Sequence, residues 1–131
     1  MTVILDTSAA LEIALNRPGA VELSPRLEQA TAVVSPELML AELANALWKE
    51  HVHGGLAIEA CYQAMEVAEG LVGRWVSHTG FFREAFALSR ALKLPAYDMF
   101  YLALAKREEG MLLTMDGKLR KVATLQGVRV S

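Results

Sequence analysis

The sequence has 131 residues, 53% of them hydrophobic and 21% charged, which predicts one ordered globular domain spanning residues 1–131 and excludes a disordered chain. Its net charge of −2 is unevenly distributed: residues 1–70 hold ten acidic and three basic residues, whereas residues 71–131 hold ten basic and five acidic ones. A basic second half fits the binding of a polyanionic ligand, and it fits solvated helix faces equally well. The single cysteine excludes an internal disulfide, and no leader pattern opens the sequence, so we expect a cytoplasmic protein. No apolar run approaches the roughly 20 residues that a membrane span needs, so we expect none.

Short apolar runs alternate with segments of helical periodicity along the chain. Strands are predicted at residues 3–5, 32–34, 75–76, 111–114 and 127–130. Helices are predicted at residues 9–15, 21–30, 36–52, 56–71, 80–92, 96–109 and 118–124. Ser35 is expected to cap the third helix, with Pro36 at its first position. This alternation predicts an α/β fold, a three-layer α/β/α sandwich around a mostly parallel central sheet.

Four acidic residues stand out by their positions. Asp6 and Asp116 each follow an apolar strand, so both lie at carboxyl ends if the sheet is parallel, where open α/β sheets bind ligands. Glu42 and Asp98 lie in apolar helical surroundings, where an unpaired charge is costly. We therefore expect these four carboxylates to form one cluster.

Each acid also has an ordinary explanation. Asp6 and Asp116 can cap the helices that follow them, and Asp98 can be a first-turn acid favoured by the helix dipole. Glu42 can face solvent in one stripe with Asn45 and Lys49. These alternatives weaken when the four acids are considered together.

Clustered carboxylates repel one another unless a cation or a proton is shared. A divalent metal resolves this repulsion, and all-oxygen ligands suit Mg²⁺ or Mn²⁺. Such ions bind phosphate oxygens, lower the pKa of water and stabilise the leaving oxygen of an in-line displacement. The chemistry implied is phosphodiester hydrolysis.

The sequence resembles the PIN-domain nucleases, and most closely the VapC-type toxins of bacterial and archaeal toxin–antitoxin pairs. Four segments carry the resemblance in order along the whole chain: VILDTS at residues 3–8, AELAN at 41–45, YDMFYLALA at 97–105 and LTMD at 113–116. No single segment is specific, but four at this spacing are. None of the four acids that this family carries is missing from the sequence.

The resemblance implies a PIN-like fold and a Mg²⁺- or Mn²⁺-dependent endoribonuclease in which a metal-activated water attacks the RNA. Asp6, Glu42 and Asp98 would be the core ligands, and Asp116 would bind a second metal or orient the attacking water. Supporting hydrogen bonds are expected from Thr114 and from Thr7 or Ser8, with Asn45 as a weaker candidate. The resemblance also implies a cognate antitoxin and a homodimer.

The basic residues Lys118, Arg120 and Lys121 follow Asp116 closely and are candidates to contact RNA phosphates. A solvated helix face explains them equally well. Tyr97 and Tyr101 flank Asp98, and we interpret them as packing residues rather than as base-stacking ones.

Two rival functions fit part of the pattern. One is a phosphatase with Asp6 as its nucleophile, but that class usually carries a second Asp two residues on, where this chain has Ser8. The other is a non-catalytic PIN-like module that binds RNA or a protein without cutting RNA. The complete set of four acids argues against the binding module.

Overall fold

The computed structural model describes residues 1–131 and contains one sheet of four parallel strands in the order β3–β2–β1–β4. The strands are β1 (Thr2–Leu5), β2 (Ala32–Pro36), β3 (Arg74–Val76) and β4 (Met111–Leu113). In the central strand β1, Val3 pairs with Val33 on one side and with Met111 on the other. All carboxyl ends therefore lie at one edge of the sheet, where Asp6 and Thr114 directly follow β1 and β4.

Seven helices flank this sheet, and the predicted α/β/α sandwich is confirmed. They are α1 (Thr7–Ala14), α2 (Ala20–Glu28), α3 (Leu38–Gly54), α4 (Ile58–Leu71), α5 (Phe82–Leu92), α6 (Ala96–Glu108) and α7 (Gly117–Leu125), with one 3₁₀ turn at His78–Gly80. Helix α6 contacts β1, β2 and β4, and α5 packs onto α6. Helix α1 packs against α2, α3 and α4. No helix combines the length and apolar character needed to cross a membrane.

Packing in the hydrophobic core holds helix α6 in place. The strand residues Val3–Leu5 are fully buried, as expected for a parallel sheet covered on both faces. On α6, all residues from Tyr101 to Ala105 are also buried, so this helix is enclosed around most of its circumference. Side chains at the start of α6 are consequently held by a helix that cannot shift without disrupting the core.

Two predicted features of the secondary structure differ from the structure. Ser35 and Pro36 do not start the third helix but end β2, where they pair with Trp75 and Val76 of β3. The Ser35 hydroxyl donates to the Leu5 carbonyl at 2.8 Å instead of capping a helix. Pairing with β3 outweighs the local helix-start pattern, and Pro36 fits because it lies beyond Val34, the last residue of β2 that is paired with β1.

The second difference is the expected terminal strand at residues 127–130. The end of this segment does pair with β4: Val130 is bridged to Leu112 in parallel, the Leu112 amide donates to the Arg129 carbonyl, and the Ser131 amide donates to the Leu112 carbonyl. The start of the segment does not pair. Gly127 has a φ of +78°, and the Val128 amide donates to the Ala123 carbonyl at 2.9 Å, so this segment closes α7 before it reaches the sheet. The other predicted element boundaries agree with the structure to within two residues.

Candidate active site

The four acids predicted from sequence lie near the carboxyl edge of the sheet, on four different elements. Asp6 and Asp116 occupy the N-cap positions of α1 and α7, Glu42 lies on α3, and Asp98 lies in the first turn of α6. Their charges interact: Glu42 and Asp116 raise the pKa of Asp98, and Asp98 in turn raises the pKa of Asp6. The fold thus brings the four carboxylates into one electrostatic group.

Asp6 is the most enclosed of the four acids, with 5% of its surface exposed. Its Oδ1 atom accepts from the Ala9 amide at 2.9 Å and from the Ser8 hydroxyl at 2.7 Å, which occupies both lone-pair directions. Its Oδ2 atom accepts only from Thr114 Oγ1 and keeps one lone pair for another partner. The capping role considered from sequence is therefore real, and it leaves Oδ2 able to bind a cation.

Burial raises the pKa of Asp6 to about 6, although hydrogen bonds from Thr114, the Ala9 amide and Ser8 oppose this rise. The charge of Asp98 adds to the effect of burial. Asp6 is thus a carboxylate that its surroundings stabilise poorly in the charged form. A nearby cation would remove this penalty.

Thr114 links Asp6 to Asp116. Besides donating to Asp6, its hydroxyl accepts from the Asp116 amide at 3.0 Å and lies 3.3 Å from the Ser8 hydroxyl. Asp116 Oδ1 accepts from the amides of Lys118 and Leu119, as its capping role requires. Asp116 Oδ2 has no hydrogen-bond partner within the protein.

Glu42 is half-buried and is held by two hydroxyl groups. Tyr101 Oη donates to Glu42 Oε1 at 2.5 Å, and Thr7 Oγ1 donates to the same oxygen at 3.0 Å. The two hydroxyl oxygens are 2.7 Å apart. Because Glu42 is half-buried and bonded to Tyr101 and Thr7, it does not belong to a solvent-facing stripe with Asn45 and Lys49, which are exposed.

Tyr101, interpreted from sequence as a packing residue, makes a polar contact with Glu42. It is 2% exposed, and burial together with the charge of Glu42 raises its pKa, which keeps it a protonated donor. A signal was present in the sequence, because Tyr101 follows Asp98 by three residues and therefore shares its face of the helix. Packing alone does not account for a buried phenol, since its hydroxyl needs a hydrogen-bond partner.

Asp98 is half-buried and accepts no hydrogen bond from the protein. Its pKa is raised first by burial and then by the charges of Asp116 and Glu42. None of the three ion pairs in the structure involves these acids, so no Lys or Arg is in direct contact with their carboxylates. No three His, Cys, Asp or Glu side chains already stand at metal-ligating spacing. The four acids therefore suit Mg²⁺ or Mn²⁺ by their oxygen donors and their negative charge, and not by a preformed coordination geometry.

The residues predicted to contact RNA or to support the acids by hydrogen bonds differ in their surroundings. Arg120 donates to the Thr114 carbonyl at 2.7 Å and so supports the segment between β4 and α7. Lys118 and Lys121 are exposed, and their amino groups have no partner in the protein. Asn45 is exposed and its side chain makes no hydrogen bond, in contrast to Thr7, Ser8 and Thr114, which each bond an acid.

Comparison with known proteins assigns the fold to a family. Residues 3–125 match the PIN domain. Ribonuclease VapC3 of Pyrobaculum aerophilum is 31% identical over 122 residues, which cover 91% of this chain and 92% of the relative. A crystal structure of a P. aerophilum protein, PAE2754, has a TM-score of 0.75 at 21% identity, covering 99% of this chain and 92% of its own. The crystal structure of VapBC2 from Rickettsia felis, bound to a DNA fragment from its promoter, has a TM-score of 0.70 at 14% identity and covers 100% of this chain and 98% of its own. This chain belongs to the PIN domain family.

Proposed function

We propose that this protein is a Mg²⁺- or Mn²⁺-dependent endoribonuclease, the toxin component of a toxin–antitoxin pair, which hydrolyses RNA phosphodiester bonds with a metal-activated water. The observation that carries the proposal is the group of four interacting acids, Asp6, Glu42, Asp98 and Asp116, with which no basic side chain forms an ion pair. The similarity to a ribonuclease at 31% identity over nearly the whole chain supports the same activity.

The residues divide into those that would hold the ion and those that orient them. Asp6, Glu42 and Asp98 would hold it, and Asp116 would bind a second ion or orient the attacking water. When bound, Mg²⁺ or Mn²⁺ lowers the pKa of water and stabilises charge on the phosphate and leaving oxygens.

The protein's own contribution is orientation. Ser8 and the Ala9 amide occupy one oxygen of Asp6, and the amides at the start of α7 occupy one oxygen of Asp116. In each carboxylate the second oxygen keeps a free lone pair. The hydrogen bonds thereby select which oxygen of each acid is available to a ligand.

The proposal includes a cognate antitoxin and a homodimer. Large apolar side chains are exposed on α3 and α4, among them Trp48 (54%), Val52 (52%), Ile58 (46%) and Tyr62 (62%). A cluster of this kind is typical of protein–protein contact surfaces. Light scattering of the purified chain, alone and co-expressed with a small DNA-binding protein encoded beside it, tests both partners.

The activity is tested by incubating the purified protein with RNA in Mg²⁺, in Mn²⁺ and in EDTA. We expect cleavage with either metal, none in EDTA and none with Asp98→Asn. Glu28→Gln, which removes an exposed acid on α2, should cut like the wild type. These results would identify a metal-dependent nuclease.

If the protein does not cleave RNA, a second experiment is needed, because an antitoxin that stays bound through purification would also block the site. The protein should therefore be denatured, separated from bound partners, refolded and assayed again. RNA binding without cleavage after this treatment would contradict the nuclease and identify a binding module. A trapped aspartyl-phosphate at Asp6 would instead identify the phosphatase.

A further inference from the structure

We propose that Tyr101, with Thr7, is a positioning residue that fixes one oxygen of Glu42 and presents the other to the metal ion. This inference rests on the proposed metal-dependent function. It concerns a residue that would not bind the ion and that acts through the Glu42 carboxylate.

The first observation is that both hydroxyls meet the same carboxylate oxygen. Tyr101 Oη and Thr7 Oγ1 lie 2.5 and 3.0 Å from Glu42 Oε1. Glu42 Oε2 has no hydrogen-bond or ion-pair partner within the protein. Since the two oxygens of a carboxylate lie on opposite sides of its axis, fixing Oε1 also fixes the direction of Oε2.

The second observation concerns the hydroxyl protons. Three oxygens in mutual contact share two protons, one from Tyr101 and one from Thr7. An ionised Glu42 has none to give, so it must accept. Both hydroxyl protons can therefore be directed at Glu42 Oε1, in which case no proton lies between Tyr101 and Thr7.

The third observation is the rigidity of the helix that carries Tyr101. Asp98 and Tyr101 are three residues apart on α6 and share one face of it. Because α6 is buried from Tyr101 to Ala105, it holds the ligand Asp98 and the Tyr101 hydroxyl in a constant relation. One helix therefore positions its own acid and also the acid of α3.

Without these hydroxyls Glu42 would be poorly placed. It lies on a half-buried helix face, and Asp98, whose pKa its charge raises, is close enough to repel it. A free glutamate has many rotamers and would turn away from the other acids toward solvent. Holding it among them before the ion arrives reduces the ordering that metal binding requires.

The test compares Mn²⁺ affinity, measured by electron paramagnetic resonance, in the wild type and in Tyr101→Phe, which removes only the hydroxyl. We expect the Kd for Mn²⁺ to rise about 10- to 100-fold, as is typical when a group that orients a metal ligand is lost. Thr31→Val removes an exposed hydroxyl just before β2, at the opposite edge of the sheet from the acids, and should bind Mn²⁺ like the wild type. Thr7→Val should weaken binding, whereas Thr7→Ser keeps the hydroxyl and should restore it.

A second readout separates positioning from damage to the fold. In Tyr101→Phe the Mn²⁺ concentration for half-maximal cleavage should rise, while kcat and KM for RNA at saturating Mn²⁺ should return to within about 3-fold of the wild type. Thermal unfolding in EDTA checks that the variant folds. If it does not fold, the Thr7→Val and Thr7→Ser pair tests the same contacts.

Three results would overturn the inference. Unchanged Mn²⁺ affinity in Tyr101→Phe would show that the hydroxyl does not position Glu42. Weaker binding that excess Mn²⁺ fails to rescue would show a wider structural role. If the wild type bound no Mn²⁺ and cut no RNA, the proposed function itself would fail, and this inference with it.

Discussion

Thr114 donates a hydrogen bond to Asp6 Oδ2 across 108 residues of sequence, joining the ends of the neighbouring strands β4 and β1. The same hydroxyl accepts from the Asp116 amide at 3.0 Å. One fully buried side chain therefore bonds the carboxylate of Asp6 and the backbone amide of Asp116. The parallel pairing of β1 with β4 makes this contact possible, because it brings both carboxyl ends to the same edge.

Replacing Thr114 with Val should destabilise the protein, because it keeps the shape of the side chain but removes the donor to a buried carboxylate. Hydrogen bonds to charged groups contribute about 1.5–3 kcal/mol, so we expect a loss of about that size in the free energy of unfolding at pH 7 in EDTA. Thr124→Val is the matched control, since its exposed hydroxyl bonds only the Arg120 carbonyl. A loss no larger than that of the control in urea unfolding would contradict the role given to Thr114.

Replacing Asp98 with Asn should stabilise the metal-free protein, because it removes a charge that burial and the charges of Asp116 and Glu42 disfavour. The melting temperature in EDTA should therefore be at or above that of the wild type. Mn²⁺ at 100 times its Kd should add about 2.7 kcal/mol to the wild type and much less to the variant. Differential scanning calorimetry with and without Mn²⁺ measures both effects. Equal stabilisation of the two proteins by Mn²⁺ would show that the ion binds elsewhere.

The sequence was sufficient to predict the fold because its signals were local and mutually consistent. Val3–Leu5 is a continuous apolar run, typical of a strand covered on both faces, and it is fully buried. The same logic placed Asp6 and Asp116 at one sheet edge, as the structure has them. Their roles toward a metal stay predictions.

What the sequence did not reveal depends on long-range contacts. Ser35 and Pro36 form a good local helix start, but pairing with β3 extends β2 through them. The bond from Tyr101 to Glu42 joins residues 59 positions apart on two helices. The spacing of Tyr101 from Asp98 places it on the same face of α6, but it does not identify Glu42 as the partner. Local patterns thus define elements, whereas contacts between elements define which polar groups meet.

Replacing Lys118 and Lys121 together with Ala should weaken RNA binding mainly at low salt. Their exposed amino groups are free to contact phosphates, and each such contact contributes about −0.7 to the slope of log K against log salt for single strands. We expect the slope to become shallower by about 1.4 while fold stability stays within about 0.5 kcal/mol. Binding is measured by fluorescence anisotropy with Asp98→Asn as the parent protein. Lys106→Ala, at the opposite end of α6 from Asp98, is the control, and an equal effect there would indicate a general charge effect.

The stability of the metal-free protein should fall as the pH rises from about 4 to 6. The pKa of Asp6 is about 6 in the folded state and 3.8 ordinarily, so in this window the folded protein holds a proton that the unfolded chain has lost. Unfolding then releases that proton and becomes easier as the pH rises, by about 3 kcal/mol in all for this group. Urea unfolding in EDTA between pH 4 and 8 measures the trend, and Asp6→Asn should remove this component. Saturating Mn²⁺ should reverse its direction, because the ion binds the ionised carboxylate and competes with the proton. A pH profile identical in the wild type and in Asp6→Asn would show that Asp6 ionises normally.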